Sequence, residues 1–152
     1  MYLPPERFRT IVASTPLVSL DLVVENPEGH LLLGMRRTRP AAGCWFVPGG
    51  RVFKGETLDA AFHRLTRDEL GVALERSRAD MLGVYEHIYD DSVFADETTT
   101  HYVVIAHHLR FALDLDTLPQ EQHQAYRWWR KSDMADDPDV HVNTKAYLVR
   151  SE

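Results

Sequence analysis

A chain of 152 residues with a 44% hydrophobic content suits one domain around one core. Its formal net charge of −6 argues against a broad nucleic-acid surface, though not against a nucleotide pocket with a few local arginines. The lone cysteine, Cys44, excludes an intrachain disulfide and fits a reducing cytoplasm; no leader-like start and no apolar run long enough to span a membrane is visible.

Met1–Thr10 is a short amphipathic lead with Pro4-Pro5, and Tyr2, Leu3 and Phe8 are its apolar residues. A loose terminus packed on the core is the ordinary outcome for such a segment. Leu17–Glu25 alternates and is rich in Leu and Val, which predicts a strand. Asp21 places a carboxylate inside that run, where burial without a partner is costly. It needs an ion pair, a solvent-facing position or a functional setting. Asn26-Pro27-Glu28-Gly29 is a turn, and His30–Arg37 reads as a strand ending in Arg36 and Arg37, with Arg39 beyond. Pro40–Gly43 is a loop, and Cys44–Val47 is a short apolar strand leading into Pro48-Gly49-Gly50. A buried, inert thiol is expected at Cys44.

From about Thr57 to Leu70 the pattern is helical, with Leu58, Ala61, Phe62 and Leu65 on one side and Gly71 as a C-terminal stop. Ala73–Asp80 is polar and reads as a loop, and Met81–Tyr89 as a strand. Tyr89–Thr98 carries Asp90, Asp91, Asp96 and Glu97 but lacks the spacing and turn glycine of a calcium loop, so it reads as a solvated flap. Thr99–Phe111 is a long strand; His107 and His108 are adjacent, face opposite sides and cannot share one metal. Asp114–Gln124 is a loop containing Glu121-Gln122-His123, followed by a short aromatic strand, Ala125–Trp129. Ser132–Asp137 is a brief helical turn with Ser132 as its cap, and Val140–Arg150 fits a C-terminal helix with Asn143 and Lys145 on its polar side.

The chain is organised around Gly50–Val72, GRVFKGETLDAAFHRLTRDELGV. Gly49-Gly50 lets a ligand approach the main chain. On the helix, Leu65 and Glu69 lie one turn apart on one face, as do Arg64 and Asp68. An amphipathic surface helix with ordinary charges would also account for the helix taken alone. Gly50, Glu56, Arg64, Glu69, Gly71 and Val72 fall on the positions of the Nudix box, and the stretch resembles that motif. Three positions depart from it. Leu65 stands where a glutamate belongs, Thr66 where an apolar residue belongs, and Asp68 replaces a glutamate. Outside the box, STPLVSLD (14–21), WFVPGGRV (45–52), RLT (64–66), TTHYVV (99–104), EQHQAYRW (121–128) and VHVNTKAY (140–147) resemble the GDP-mannose mannosyl hydrolase branch, a resemblance over nearly the whole chain.

That resemblance implies an α/β fold, a Nudix α/β/α sandwich with a mixed central sheet in a single domain over 1–152. It implies hydrolysis of GDP-mannose, or another GDP-hexose, to GDP and free sugar by inverting attack of water at the anomeric carbon. His123 would be the general base, since a neutral imidazole accepts a proton near neutral pH. Gly49 through its carbonyl, Glu69 and Gln122 would hold Mg²⁺, with Mn²⁺ as a possible substitute, since oxygen ligands suit either ion. Arg36 and Arg51, flanking the glycine-rich turn, would clamp the diphosphate bidentately. Tyr102 would hydrogen-bond a phosphate oxygen, although a core tyrosine with a satisfied hydroxyl fits the same pattern. Asp21 would stabilise the cation-like sugar, and His87 would approach it, though a structural histidine is as good an account of His87. Tyr2, Leu3 and Phe8 would help hold the guanine, and the partner would be a second copy of the chain in a homodimer. Arg64 would brace the loop through Glu56, and Asp68 would be an outer acid. Arg37 and Arg39 are left as solvated charges. Two other readings remain at this stage: a Nudix pyrophosphatase attacking phosphorus, and a non-catalytic nucleotide-binding module.

Overall fold

The computed structural model describes residues 2–94, 98–119 and 123–150, with the backbone alone at 123, 124, 149 and 150. Among these residues the helices are α1 (Pro5–Ser14), α2 (Leu58–Leu70), α3 (Lys131–Asp136) and α4 (Val142–Lys145). The strands are β1 (Leu17–Glu25), β2 (Leu31–Arg36), β3 (Trp45–Phe46), β4 (Gly49–Arg51), β5 (Asp80–Tyr89), β6 (Thr100–Arg110) and β7 (His123–Trp129). They form one sheet in the order β3-β2-β1-β6-β5, with β4 also on β1 and β7 also on β2. β1 and β6 run parallel and the other pairs antiparallel, so the sheet is mixed.

β1 is central, and its alternating side chains feed two cores. Leu20, Leu22 and Val24 pack with Leu32 against Ala61, Phe62, Leu65 and Leu70 of α2. On the other face Val23, Leu31, Leu33, Phe46 and Trp129 pack against Met134 of α3 and Tyr147 near the C-terminus. Helices on both faces of a mixed sheet make the α/β/α sandwich expected from the sequence. α2 forms where its spacing places it. Thr57 Oγ1 accepts the Ala60 N–H at 3.0 Å, and Gly71, at a φ of 78°, donates its N–H to the Arg67 carbonyl at 3.0 Å.

Several local expectations are corrected. The N-terminal lead is helical over Pro5–Ser14, because a proline at the start of a helix has no N–H to leave unpaired and Val12 is buried against the core. Gly49–Arg51 is a strand, paired with Ser19–Asp21. His123 opens β7 instead of closing a loop, since it pairs opposite Arg36 across a bulge. Ser132 is not a cap: α3 starts at Lys131, which pairs with Glu25 at 3.1 Å. The C-terminal helix begins at Val142, where His141 Nδ1 accepts the Asn143 N–H at 3.1 Å, and tightens to 3-10 geometry from Ala146. The 89–98 segment is not wholly solvated. Ser92 and Thr98 are buried, and the Asp91 carbonyl accepts the Thr100 hydroxyl at 2.7 Å. Asp96 and Glu97 lie outside the described residues. Arg39 is not left to solvent alone, since Asp91 stands 3.8 Å away.

Candidate active site

The register decides which side chains meet. Arg51 is paired with Ser19, and Gly49 with Asp21, on β1. Tyr102 of β6 is level with Leu17, and His87 of β5 with Tyr102. Paired residues share a face, so Arg51, Asp21, Tyr102 and His87 lie on the side of the sheet away from α2. Arg36 joins them from the end of β2, its Nε donating to the Pro40 carbonyl at 2.9 Å. Burial pushes the Tyr102 hydroxyl up, while the charges of Arg36 and Arg51 both pull it down. Both arginine charges thus act on this hydroxyl.

At the motif end, Arg64 donates to both Glu56 oxygens at 2.7 and 2.9 Å and to the Arg51 carbonyl at 2.9 Å. The Arg64 hydrogen bonds hold the Glu56 carboxyl below the usual range. The brace expected from the sequence is thus built, and it fixes the strand carrying Arg51. Leu65 is 4% exposed and fills the space over Gly50, where a Cβ would come within 2.5 Å of Leu65 Cδ2. The position that carries a glutamate in the full motif is therefore a core position here. Glu69 is also 4% exposed, and the Gly49 N–H points to its Oε1 at 3.4 Å. A Cβ at Gly49 would lie 2.5 Å from the Leu20 carbonyl oxygen and 2.6 Å from Asp21 Oδ1, so only glycine fits this cradle. A buried carboxylate, such as Glu69, is the kind of oxygen ligand that suits a hard divalent cation. Among the described residues there is no group of three or more His, Cys, Asp or Glu that would hold a metal without further ligands. Gln122 lies outside the described residues, as does the side chain of His123, whose backbone stands opposite Arg36.

Asp21 is buried, with 6% exposure. Desolvation pushes its pKa up to about 7, against the hydrogen bond donated by Tyr147 and the charge of Arg36, which lower it. His87 is 4% exposed and held neutral, its pKa lowered to about 4 by burial and then by His141. Among the described residues its Nε2 has no hydrogen-bond partner. Burial pushes the Tyr89 hydroxyl up to about 12, although a hydrogen bond with Asn143 lowers it. Rings of Phe46 and Tyr89 lie 5.3 and 5.4 Å from His141. The result is a polar and aromatic cluster on the same side of the sheet as the two arginines.

The N-terminal trio is divided. The Phe8 ring lies under the Arg51 guanidinium at 5.0 Å and 5.8 Å from Phe94, Leu3 is half-buried, and Tyr2 is fully exposed. Sequence reasoning missed Tyr89, His141, Asn143 and Tyr147. For the last three the signal was in the VHVNTKAY segment, but a helical reading of it could not aim those side chains at strands far earlier in the chain. The histidines left as structural behave so: His107 accepts from Arg76 at 3.0 Å under Phe62, and His108 pairs with Glu25 at 3.1 Å. Cys44 is half-buried and not buried as expected, since the strand begins only at Trp45; partial burial, then Asp139, raises its thiol pKa, which suits an inert thiol.

The NUDIX domain family matches residues 15–150, and the chain belongs to it. It is similar to the low-salt glycan biosynthesis protein Agl8 of Haloferax volcanii, 44% identical over 119 residues, which cover 78% of this chain and 73% of that protein. It is also similar to the ADP-ribose pyrophosphatase of Methanocaldococcus jannaschii, 36% identical over 70 residues, 46% of this chain and 40% of that protein. In fold it is similar to the MutT protein from Methanosarcina mazei Go1, with a TM-score of 0.71 at 20% identity over 90% of this chain and 94% of that one. No helix among the described residues is long and apolar enough to cross a membrane.

Proposed function

We propose that this Nudix hydrolase acts on GDP-mannose or a related GDP-hexose, releasing GDP and the free sugar by attack of water at the anomeric carbon with inversion. The observation that carries this reading is Leu65, sunk into the core where the full motif has a glutamate. α2 then offers the Gly49 main chain one buried carboxylate, Glu69. A cleft with so few acids is better suited to assisting a departing diphosphate than to generating a metal-bound nucleophile at phosphorus. The polar end of Asp21, His87 and Tyr89 offers a sugar a carboxyl, an imidazole nitrogen and a hydroxyl.

Nudix hydrolases use divalent metals such as Mg²⁺ or Mn²⁺. In this reading Gly49, Glu69 and Gln122 hold Mg²⁺, which when bound neutralises charge on the leaving group. Arg36 and Arg51 grip the diphosphate, and Tyr102 donates to one of its oxygens. His123 takes the proton of the attacking water as the bond from the anomeric carbon to oxygen breaks and its electron pair leaves with GDP. Asp21 stabilises the cation-like sugar. Phe8, with Leu3 and Tyr2, provides a stacking surface for the guanine. The working form is a cytoplasmic homodimer without nucleic-acid or membrane partners. Val18, Val84 and Ile88 lie exposed on one face of the sheet, which supports self-association. Light scattering after size exclusion that gives a monomer mass at all concentrations would remove the dimer.

Hydrolysis in ¹⁸O-labelled water with Mg²⁺ tests the reaction. Label in free mannose with unlabelled GDP is the expected result. Label in a phosphate group would instead favour pyrophosphatase attack at phosphorus, a reading that the similarity to an ADP-ribose pyrophosphatase supports.

A further inference from the structure

One oxygen of Asp21 is held by a hydrogen bond and the other is packed close against the main chain. Oδ2 accepts a short hydrogen bond from the Tyr147 hydroxyl, which comes from 126 residues later in the chain. Oδ1 lies against Gly49, where a Cβ would come within 2.6 Å. The tyrosine is itself fixed: it is buried, and its ring meets Tyr85 edge-on with centroids 4.8 Å apart. The same C-terminal stretch places His141 beside Tyr89, with ring centroids 5.4 Å apart. One short segment therefore walls the polar side of the site through contacts to Asp21, Tyr85 and Tyr89.

A buried carboxylic group bonded to a buried phenol is a poor way to stabilise a core, since an apolar pair of the same shape would serve at least as well. What the pair does supply is orientation. We propose that Tyr147 is a positioning residue, which holds the Asp21 carboxyl in one orientation toward the sugar end of the cleft. The role rests on the GDP-sugar reading above. Tyr147 does not touch the substrate and acts through Asp21.

A double-mutant cycle tests this. Turnover of GDP-mannose with Mg²⁺ is measured for wild type, Tyr147→Phe, Asp21→Asn and the double variant, together with calorimetric GDP binding and the Tm of each. Tyr147→Phe is expected to lower kcat roughly tenfold, with KM and GDP affinity within about twofold of wild type. In the Asp21→Asn background the same change adds no further loss, because the group it acts through has already been altered. An unchanged kcat, or an equal loss in both backgrounds, overturns the role. A Tyr147→Phe protein already unfolded at the assay temperature also overturns it, because the hydroxyl is then required by the fold itself. A wild-type chain that binds GDP but turns over no GDP-sugar removes the substrate reading, and this role with it, before any variant is compared.

Discussion

On the α2 side of β1, Leu20, Leu22 and Val24 meet Phe62, Leu65 and Leu70 in an apolar core. On the opposite side the same strand carries Ser19 and Asp21, both buried, toward Arg51, Tyr147 and the polar cleft. The acids at the two ends of the site show what the difference means. Glu56 takes its partner, Arg64, from the neighbouring helix and is held ionised. Asp21 takes a neutral phenol from the far end of the chain, and desolvation dominates it. One region supports geometry through packing and a full ion pair. The other leaves a titratable group poised in a low-dielectric cleft, an arrangement more useful to chemistry than to stability.

The division can be broken by mutation. Phe62→Ala should cost about 3–5 kcal/mol, the scale for emptying a buried phenylalanine site, while the folded fraction keeps a near-normal kcat. A loss below about 1 kcal/mol by urea denaturation would mean that the α2 core does not carry the fold as described. At the cleft, Glu69→Gln should lower turnover roughly a hundredfold and blunt the response to Mg²⁺; a normal Mg²⁺ titration would take Glu69 out of the ligand set. His123→Gln should reach a similar roughly hundredfold loss with GDP affinity little changed, and unchanged turnover would place the base elsewhere.

The fourth test uses pH. Asp21 has a folded pKa of about 7 against an ordinary 3.8, so the folded state keeps a proton that the unfolded chain has lost. Its contribution to stability therefore falls as pH rises from about 4 to about 7. His87 has the opposite slope: with a folded pKa of about 4 against an ordinary 6.5, its contribution is lost as pH falls through that window. Comparing wild type with Asp21→Asn isolates the acid. The variant should gain up to about 4 kcal/mol on wild type between pH 4 and 8, followed by urea denaturation in EDTA. Parallel curves would show that Asp21 is not shifted in the folded state. The smallest effect belongs to the brace. Glu56→Gln should cost about 1–2 kcal/mol at pH 7, and the difference should shrink as pH falls below the ordinary 4.5 and through the lowered folded value, where Glu56 takes up a proton in wild type too. A constant difference across pH would mean that the pair acts through shape alone.

The motif end was legible because its information is local. Gly49-Gly50, Glu56, Arg64, Leu65 and Glu69 sit on one turn and one helix, and a 3.6-residue period fixes which of them align. The Gly71 stop follows from that period, while the Glu56–Arg64 brace came from the resemblance to the Nudix box. The N-terminal helix was missed because prolines read as breakers unless their place in the first turn is known. The partner of Asp21 was missed for a deeper reason. Sequence showed that a carboxylate in an apolar strand needs a partner, but not whether Tyr85, Tyr147 or an arginine would supply it. That choice depends on the parallel pairing of β1 with β6, the bulge in β5 and the turn that returns the last segment to the sheet. Local chemistry determined the motif helix and its missing glutamate, because both are matters of spacing along one element. Tertiary structure alone decided the polar wall, because its members come from strands and turns whose register is set by burial of the whole sheet.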